Sequence, residues 1–258
     1  MAKKTLHELY TRLVSEVYED DIESQRYYLS VIETQRNISV DYLLERGFLF
    51  IPNNDYIRHY LGADCLTFGS ELYAGESCIW TLFATIPIMD LSQDVVGLVG
   101  WDALNKYKES QGESLGLPMY KVSSKHVFPR DKYFLTDVPL LKRTFAHRTI
   151  FITDGVFDSV ALNYRKIPAI ALLGSTFSPE ILYFLRWYKH IYVCADNDSA
   201  GLKLYNRLRT ALPGVHRVVQ GKSKDIEELL RGEDVNGSVT KQLLSALGNP
   251  VGADIILS

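Results

Sequence analysis

The sequence predicts an α/β fold: a mostly parallel sheet flanked by helices, preceded by a smaller α+β subdomain. Three observations carry this. After Arg148, short apolar runs alternate with helical stretches, the pattern of parallel strands joined by helical crossovers. Before Arg148, a long stretch of helical periodicity leads into two β-rich runs separated by a turn. The 258 residues are 47% hydrophobic, which suffices for one large core or two small ones. We therefore expect a helical and α+β part over residues 1–147, and an α/β part with a C-terminal helical tail over residues 148–258.

The elements follow in order. Leu6, Leu9, Tyr10, Leu13, Val14, Val17 and Tyr18, then Tyr27, Tyr28, Val31 and Ile32, recur at helical spacing and predict two helices with a break near Asp20-Asp21. Ser39 as a cap and Gly47 as a stop predict a short helix between them, and another is expected over Asp55 to Leu61. Ile79 to Ile88 and Val95 to Leu98 read as strands joined by a turn at Asp90 to Asp94, whereas Lys106 to Met119 is polar and reads as a loop. Strands are then expected at Thr149–Thr153, Ala169–Leu172, Ile191–Ala195 and Arg217–Val219. Helices are expected at Asp158–Tyr164, Pro179–Tyr188, Ser199–Leu212 and Asp225–Arg231. Tyr183, Phe184, Trp187 and Tyr188 share an amphipathic helix, where core packing or a partner surface ranks ahead of base stacking.

Composition narrows the function classes. No segment approaches 18 consecutive apolar residues, and no apolar signal core follows Lys3-Lys4, so a cytoplasmic protein without a membrane role is expected. Cys65, Cys78 and Cys194 show no CxxC spacing, which argues against a zinc ribbon and a disulfide framework. The six histidines form no HxxxH or HExxH pattern. A net charge of -3 conceals an uneven distribution. Residues 121–148 carry seven Lys or Arg against Asp131 and Asp137, and residues 199–224 carry six against none. Local positive charge of this kind permits a polyanionic substrate.

In parallel sheets the carboxyl ends of the strands line the ligand crevice. Thr149–Thr153 runs into Asp154-Gly155, with Asp158 opening the next helix; Ile191–Ala195 runs into Asp196-Asn197-Asp198; Asp225 precedes the helix after Arg217–Val219. Hard divalent cations take oxygen ligands, commonly one or two carboxylates plus substrate phosphates. Singly, Asp158 and Asp198 fit the role of helix caps. Together, acids at three strand ends point to a metal site. Gly174-Ser175-Thr176 lies between a strand and a helix, as a phosphate-approach loop or a plain turn does.

The runs Phe151-Ile152-Thr153-Asp154-Gly155-Val156-Phe157-Asp158, Ala171-Leu172-Leu173-Gly174-Ser175-Thr176, Val193-Cys194-Ala195-Asp196-Asn197-Asp198-Ser199-Ala200-Gly201 and Lys224-Asp225-Ile226-Glu227-Glu228-Leu229 resemble, in order and spacing, the Toprim domain of bacterial DnaG-type primases. Upstream, Tyr42 to Gly47, Pro87 to Gly100 and Tyr120 to Phe128 are similar to parts of that family's polymerase region. The resemblance implies a Toprim-type sheet behind a primase-like subdomain. It implies that Asp154, Asp196 and Asp198 are the catalytic metal ligands, Asp154 standing in place of the family's glutamate. Asp158 and Asp225 are then supporting acids, and Gly155, Gly174 and Ser175 lie on the nucleotide or phosphate approach.

The implied activity is synthesis of RNA primers on single-stranded DNA from ribonucleoside triphosphates, using magnesium or manganese, with a replicative helicase as a further partner. Lys121, Lys125, Arg130 and Lys132 are candidates for nucleic-acid contact, although a solvated loop accounts for the same charges. Two departures stand out: Asp154 is about 1.5 Å shorter than a glutamate, and Trp101 occupies a position where the family pattern has arginine. Three cysteines are too few for the family's zinc-binding domain, and the chain ends too soon for its helicase-interaction domain, so a minimal core of phage or mobile-element type, acting in a host cytoplasm, is expected. A Toprim nuclease, and a catalytically degenerate nucleic-acid-binding replication protein, stay open as alternatives.

Overall fold

A long helix opens the structure, a computed structural model that describes residues 5–65, 83–101, 120–122, 133–134, 137–172, 177, 179–233 and 235–257. The chain divides into two compact units, residues 1–130 and 131–258. In the first unit, helix α1 spans Leu6–Arg36 and starts at a capping box between Thr5 and Glu8. The break expected near Asp20-Asp21 is a kink at Asp21 within one helix. The Asp21 carboxylate accepts a 2.8 Å hydrogen bond there from the Tyr56 hydroxyl.

Helix α2 (Val40–Glu45) is capped by Ser39 and leaves through Gly47, whose φ of +72° is the left-handed conformation glycine adopts without strain. Strand β1 (Leu49–Ile51), helix α3 (Asn54–Leu61) and strands β2 (Phe83–Met89), β3 (Val95–Trp101) and β4 (Tyr120–Val122) follow. The four strands form an antiparallel sheet in the order β1-β2-β3-β4. Leu9, Tyr10, Leu13 and Val17 of α1 share a core with Leu49, Ile51, Ile57, Val95 and Leu98. Each such aliphatic burial is worth about 1.5–3 kcal/mol. Gln25 closes the free edge of β1: its amide donates to the Phe50 carbonyl at 3.0 Å and accepts from the Phe50 N–H at 2.7 Å. Trp101 is fully buried, with the Arg36 guanidinium 5.7 Å from its ring centroid, so that position belongs to the core.

The second unit opens with strand β5 (Tyr133–Phe134), helix α4 (Val138–Thr144) and a 3-10 turn at Phe145–His147. There follow β6 (Thr149–Thr153), α5 (Val156–Tyr164), β7 (Ala169–Leu172), α6 (Pro179–Leu185), β8 (His190–Cys194), α7 (Ser199–Ala211) and β9 (Val215–Val219). Helices α8 (Ile226–Arg231) and α9 (Ser238–Gly248) and strand β10 (Ile255–Ile256) complete the unit. The sheet order is β10-β9-β8-β6-β7-β5, with β5 antiparallel and the other five strands parallel. Every residue of β6 and β7 is buried, which explains their continuous apolar runs.

Strands β6 and β8 are neighbours, yet the chain leaves β6 toward β7 on one side and β8 toward β9 on the other. Such a switch point opens a crevice at the carboxyl ends of the two strands. Among the described residues no helix is long and apolar enough to cross a membrane. Cys65 and Cys194 are free thiols, and Cys78 lies outside the described residues.

Candidate metal centre and nucleotide cavity

The crevice between β6 and β8 is lined by acid. Asp154 follows β6 directly, and its Oδ2 accepts a 3.3 Å hydrogen bond from the Asp196 N–H at the end of β8. One strand end thus holds the other. The second oxygen of Asp154, Oδ1, is buried and has no hydrogen-bond partner among the described residues. Asp158 lies four residues on, in the first turn of α5, which returns its carboxylate toward Asp154. Asp154, Asp158 and Asp196 each offer an oxygen, and these oxygens all lie within 4.8 Å of one another.

Backbone packing fixes this geometry. A Cβ on Gly155 would collide with the Asp158 carboxylate, and one on Gly201 would collide with the Asp196 carbonyl. Both glycines therefore admit close approach rather than flexibility. Asp158 is buried, and its Oδ1 accepts from the Glu227 N–H of α8 at 3.0 Å. The buried Arg165 ties α5 to α8 by donating to the Ala161 and Leu230 carbonyls at 3.2 and 2.7 Å. Glu227 in turn takes two hydrogen bonds from Arg231, at 2.9 and 2.6 Å.

The remaining expected acids are placed differently. Asp198 N-caps α7, its Oδ1 accepting from Ala200 and Gly201 N–H at 2.8 Å each. Asp225 N-caps α8 through the Glu228 N–H at 2.7 Å. Their charges still act on the crevice. Burial raises the Asp154 carboxyl above its usual range, with Asp198 and Asp225 adding to the rise and backbone hydrogen bonds opposing it. Burial, then the charge of Asp225, lifts Asp158 well above that range. Asp196 is raised to about 6 by burial and then by Asp154, against the lowering pull of Lys224. The Lys224 ammonium stands 3.9 Å from Asp196 Oδ2.

Three carboxylates held this close, one with a buried unsatisfied oxygen, form a donor set suited to a hard divalent cation. Beside them lies a cavity of about 490 Å³ lined by Asp154, Leu172, Ala200, Lys203, Leu204, Asn206 and Arg207. The Arg207 guanidinium sits 5.1 Å from the Phe177 ring centroid, which restrains it. Lys203, Asn206 and Arg207 were not singled out from sequence; the acid-free basic run over residues 199–224 was their signal. Gly174, Ser175, Lys125, Arg130 and Lys132 lie outside the described residues, and Lys121 is placed only through its backbone pairing with Gly100 in β4.

Comparison with known proteins adds to this geometry. Residues 151–230 match the family described as Toprim-like. The E. coli primase catalytic core superposes with a TM-score of 0.67 at 18% identity, covering 94% of this chain and 82% of that one. This chain has the fold of a DnaG-type primase catalytic core. The RNA polymerase domain of Mycobacterium tuberculosis DnaG, in complex with a double-stranded DNA oligomer with a 6-nucleotide overhang, gives a TM-score of 0.72 at 14% identity, covering 93% of this chain and 79% of that one. The Aquifex aeolicus primase structure, comprising zinc-binding and RNA polymerase domains, gives 0.71 at 18% identity. The match covers 96% of this chain but only 62% of the Aquifex chain. No curated protein matches by sequence. In this primase-core fold, Asp154, Asp158 and Asp196 lie in the Toprim-like region at the switch point of its sheet.

Proposed function

We propose that the protein is a primase-type nucleotidyltransferase that joins ribonucleotides on a single-stranded DNA template. The observation that carries this reading is the buried Oδ1 of Asp154, unpartnered among the described residues, beside the Asp158 and Asp196 carboxylates in a fold shared with primase catalytic cores. Asp154, Asp158 and Asp196 would hold magnesium or manganese, which when bound neutralises charge on the transferred phosphoryl group and orients the attacking oxygen. Asp198 serves this site by fixing the start of α7 and adding negative charge, and Asp225 does the same at α8. Lys203 and Arg207, one turn apart on α7, bring positive charge to the adjacent cavity, where a triphosphate would be held beside Asp154. Leu172, Ala200 and Leu204 give that cavity an apolar floor. The chemistry needs no protein nucleophile, so the side chains contribute position and charge.

A structural relative is a DnaG catalytic domain bound to single-stranded DNA, with a TM-score of 0.71 at 17% identity, which supports the template assignment. Lys121, Lys125 and Arg130 of the first unit, with Lys132 of the second, remain the proposed template contacts, and a replicative helicase remains the proposed partner.

The test is template-dependent incorporation of labelled ribonucleotides by the purified chain with magnesium or manganese, with and without a helicase. Incorporation lost in Asp196→Asn supports the proposal. Metal-dependent cleavage of single strands without incorporation assigns the alternative nuclease activity to the same carboxylates. Nucleic-acid binding that is unchanged in Asp154→Ala and Asp196→Asn, with no turnover under any condition, sinks both catalytic readings.

A further inference from the structure

The amino-terminal edge of the parallel sheet carries a second surface, which the acidic crevice does not use. It is built from the end of α4, the turn over Phe145–His147 and Arg148 on one side, and from the end of α6 and the segment to Lys189 on the other. The Lys189 and His190 N–H groups both donate to the Arg148 carbonyl, at 2.7 and 3.1 Å, which joins the two sides. Phe145 and Phe184 each meet Tyr188 edge to face, at 5.6 and 5.4 Å between ring centroids.

The helix expected over Pro179–Tyr188 ends at Leu185, and the aromatic residues of α6 and of the turn after it divide in two. Tyr188 is buried, but Tyr183 is 64% exposed and Trp187 is 48% exposed, one turn apart, with ring centroids separated by 6.3 Å. Phe145 is 38% exposed on the facing turn. Around them stand the exposed side chains of Lys142, Arg143, Arg148, Arg186 and Lys189. Residues 138–153 and 181–195 contain no Asp or Glu. None of the five cations forms an ion pair with a described carboxylate.

We propose that this surface is a binding platform for single-stranded DNA, distinct from the acidic crevice. Exposed rings offer faces for stacking unpaired bases, and the five cations, which outnumber the exposed Glu180 of α6, hold the phosphates. The charge complementarity selects a polyanion over a neutral apolar partner, and the free ring faces select single strands over duplex, whose bases are already stacked. The platform and the catalytic crevice lie at opposite ends of the same strands. Five-residue strands such as β6 put roughly 16 Å between the two edges. A strand bound there is held away from the carboxylates, which would repel it.

The test uses the full chain, EDTA and a fluorescein-labelled oligothymidylate of about 20 nucleotides, so that it requires neither metal nor turnover. Tyr183→Ala with Trp187→Ala should weaken binding about tenfold or more. Arg186→Gln with Lys189→Gln should lower the slope of log K against log salt by about 1 to 2. Tryptophan emission of the wild-type chain should be quenched by the oligonucleotide, and most of that quenching should vanish in Trp187→Phe. Equal unfolding midpoints for wild type and variants confirm that folding is intact. Unchanged affinity and salt slope in both double variants overturn the proposal. So does a change of oligomeric state, without a change in DNA affinity, in Tyr183→Ala with Trp187→Ala, which would make the patch a contact between copies. Failure of primer synthesis leaves this test untouched.

Discussion

Replacing Asp196 by asparagine should make the metal-free protein more stable while removing its response to metal. The folded protein raises the Asp196 carboxyl from 3.8 to about 6. A carboxyl whose folded pKa exceeds its unfolded value holds its proton more tightly in the native state. Its contribution to stability is fully present below about pH 4 and is lost as pH rises through about 6. A shift of roughly 2 units at about 1.4 kcal/mol each sets a ceiling of about 3 kcal/mol. A quarter of the side chain meets solvent, which reduces the expected gain to about 1–2 kcal/mol. The lost contact to Lys224 offsets little of this, because that lysine is 75% exposed and 3.9 Å away. Thermal unfolding at pH 8 in EDTA should therefore give a midpoint roughly 2–8 °C higher for Asp196→Asn than for wild type. At pH 4 the two should coincide. Magnesium at a hundred times its dissociation constant should stabilise wild type by about 2.7 kcal/mol and the variant far less. A variant that is less stable than wild type at pH 8, or whose advantage is the same at pH 4, would refute the claim that ionised Asp196 is held against its own electrostatics.

Other consequences can be checked by direct measurement. Gly155→Ala places a methyl group against the Asp158 carboxylate; it should cost about 1–3 kcal/mol in denaturant unfolding and weaken manganese binding measured by calorimetry. Lys203→Ala and Arg207→Ala, which act on the cavity rather than the carboxylates, should raise the KM for ribonucleotides severalfold and leave magnesium-induced stabilisation intact; an unchanged KM would separate the cavity from the substrate. Arg165→Met removes the link from α5 to α8, so hydrogen exchange should rise at the start of α8 and divalent-cation affinity should fall even though Arg165 touches no ligand atom.

Much of the second unit was legible because its signals are local. The strand Thr149–Thr153 and the strand Ala169–Leu172 have the bounds expected from their apolar runs, and Asp198 caps α7, the role that its place before Ser199 also fits. Two-residue strands are a different case. Tyr133–Phe134 and Ile255–Ile256 are too short to show a period and exist only because longer strands accept them at the sheet edge. Helix α4, seven residues long with Pro139 in its first turn, is too short to show a helical period in the sequence. The site was harder to read than the fold. Asp158 and Asp198 look alike in sequence, each an acid beside a helix start. Which one joins the carboxylate cluster is decided by α8, about seventy residues after Asp158, whose Glu227 N–H meets Asp158.

That arrangement also bears on the short acid at position 154. Aspartate reaches about 1.5 Å less far than the glutamate of the Toprim pattern, and read from sequence this keeps the catalytically degenerate alternative open. In the fold, Asp154 does not reach across the crevice alone. The Asp196 N–H holds one of its oxygens, and Asp158 approaches from the next helical turn, with Gly155 leaving room between them. The three carboxylates converge through backbone proximity rather than side-chain length. Lengthening one arm of so close a cluster is then a disturbance rather than a repair. Asp154→Glu should weaken manganese affinity and slow any turnover, and a variant that binds metal more tightly or works faster would show that the native site is limited by reach.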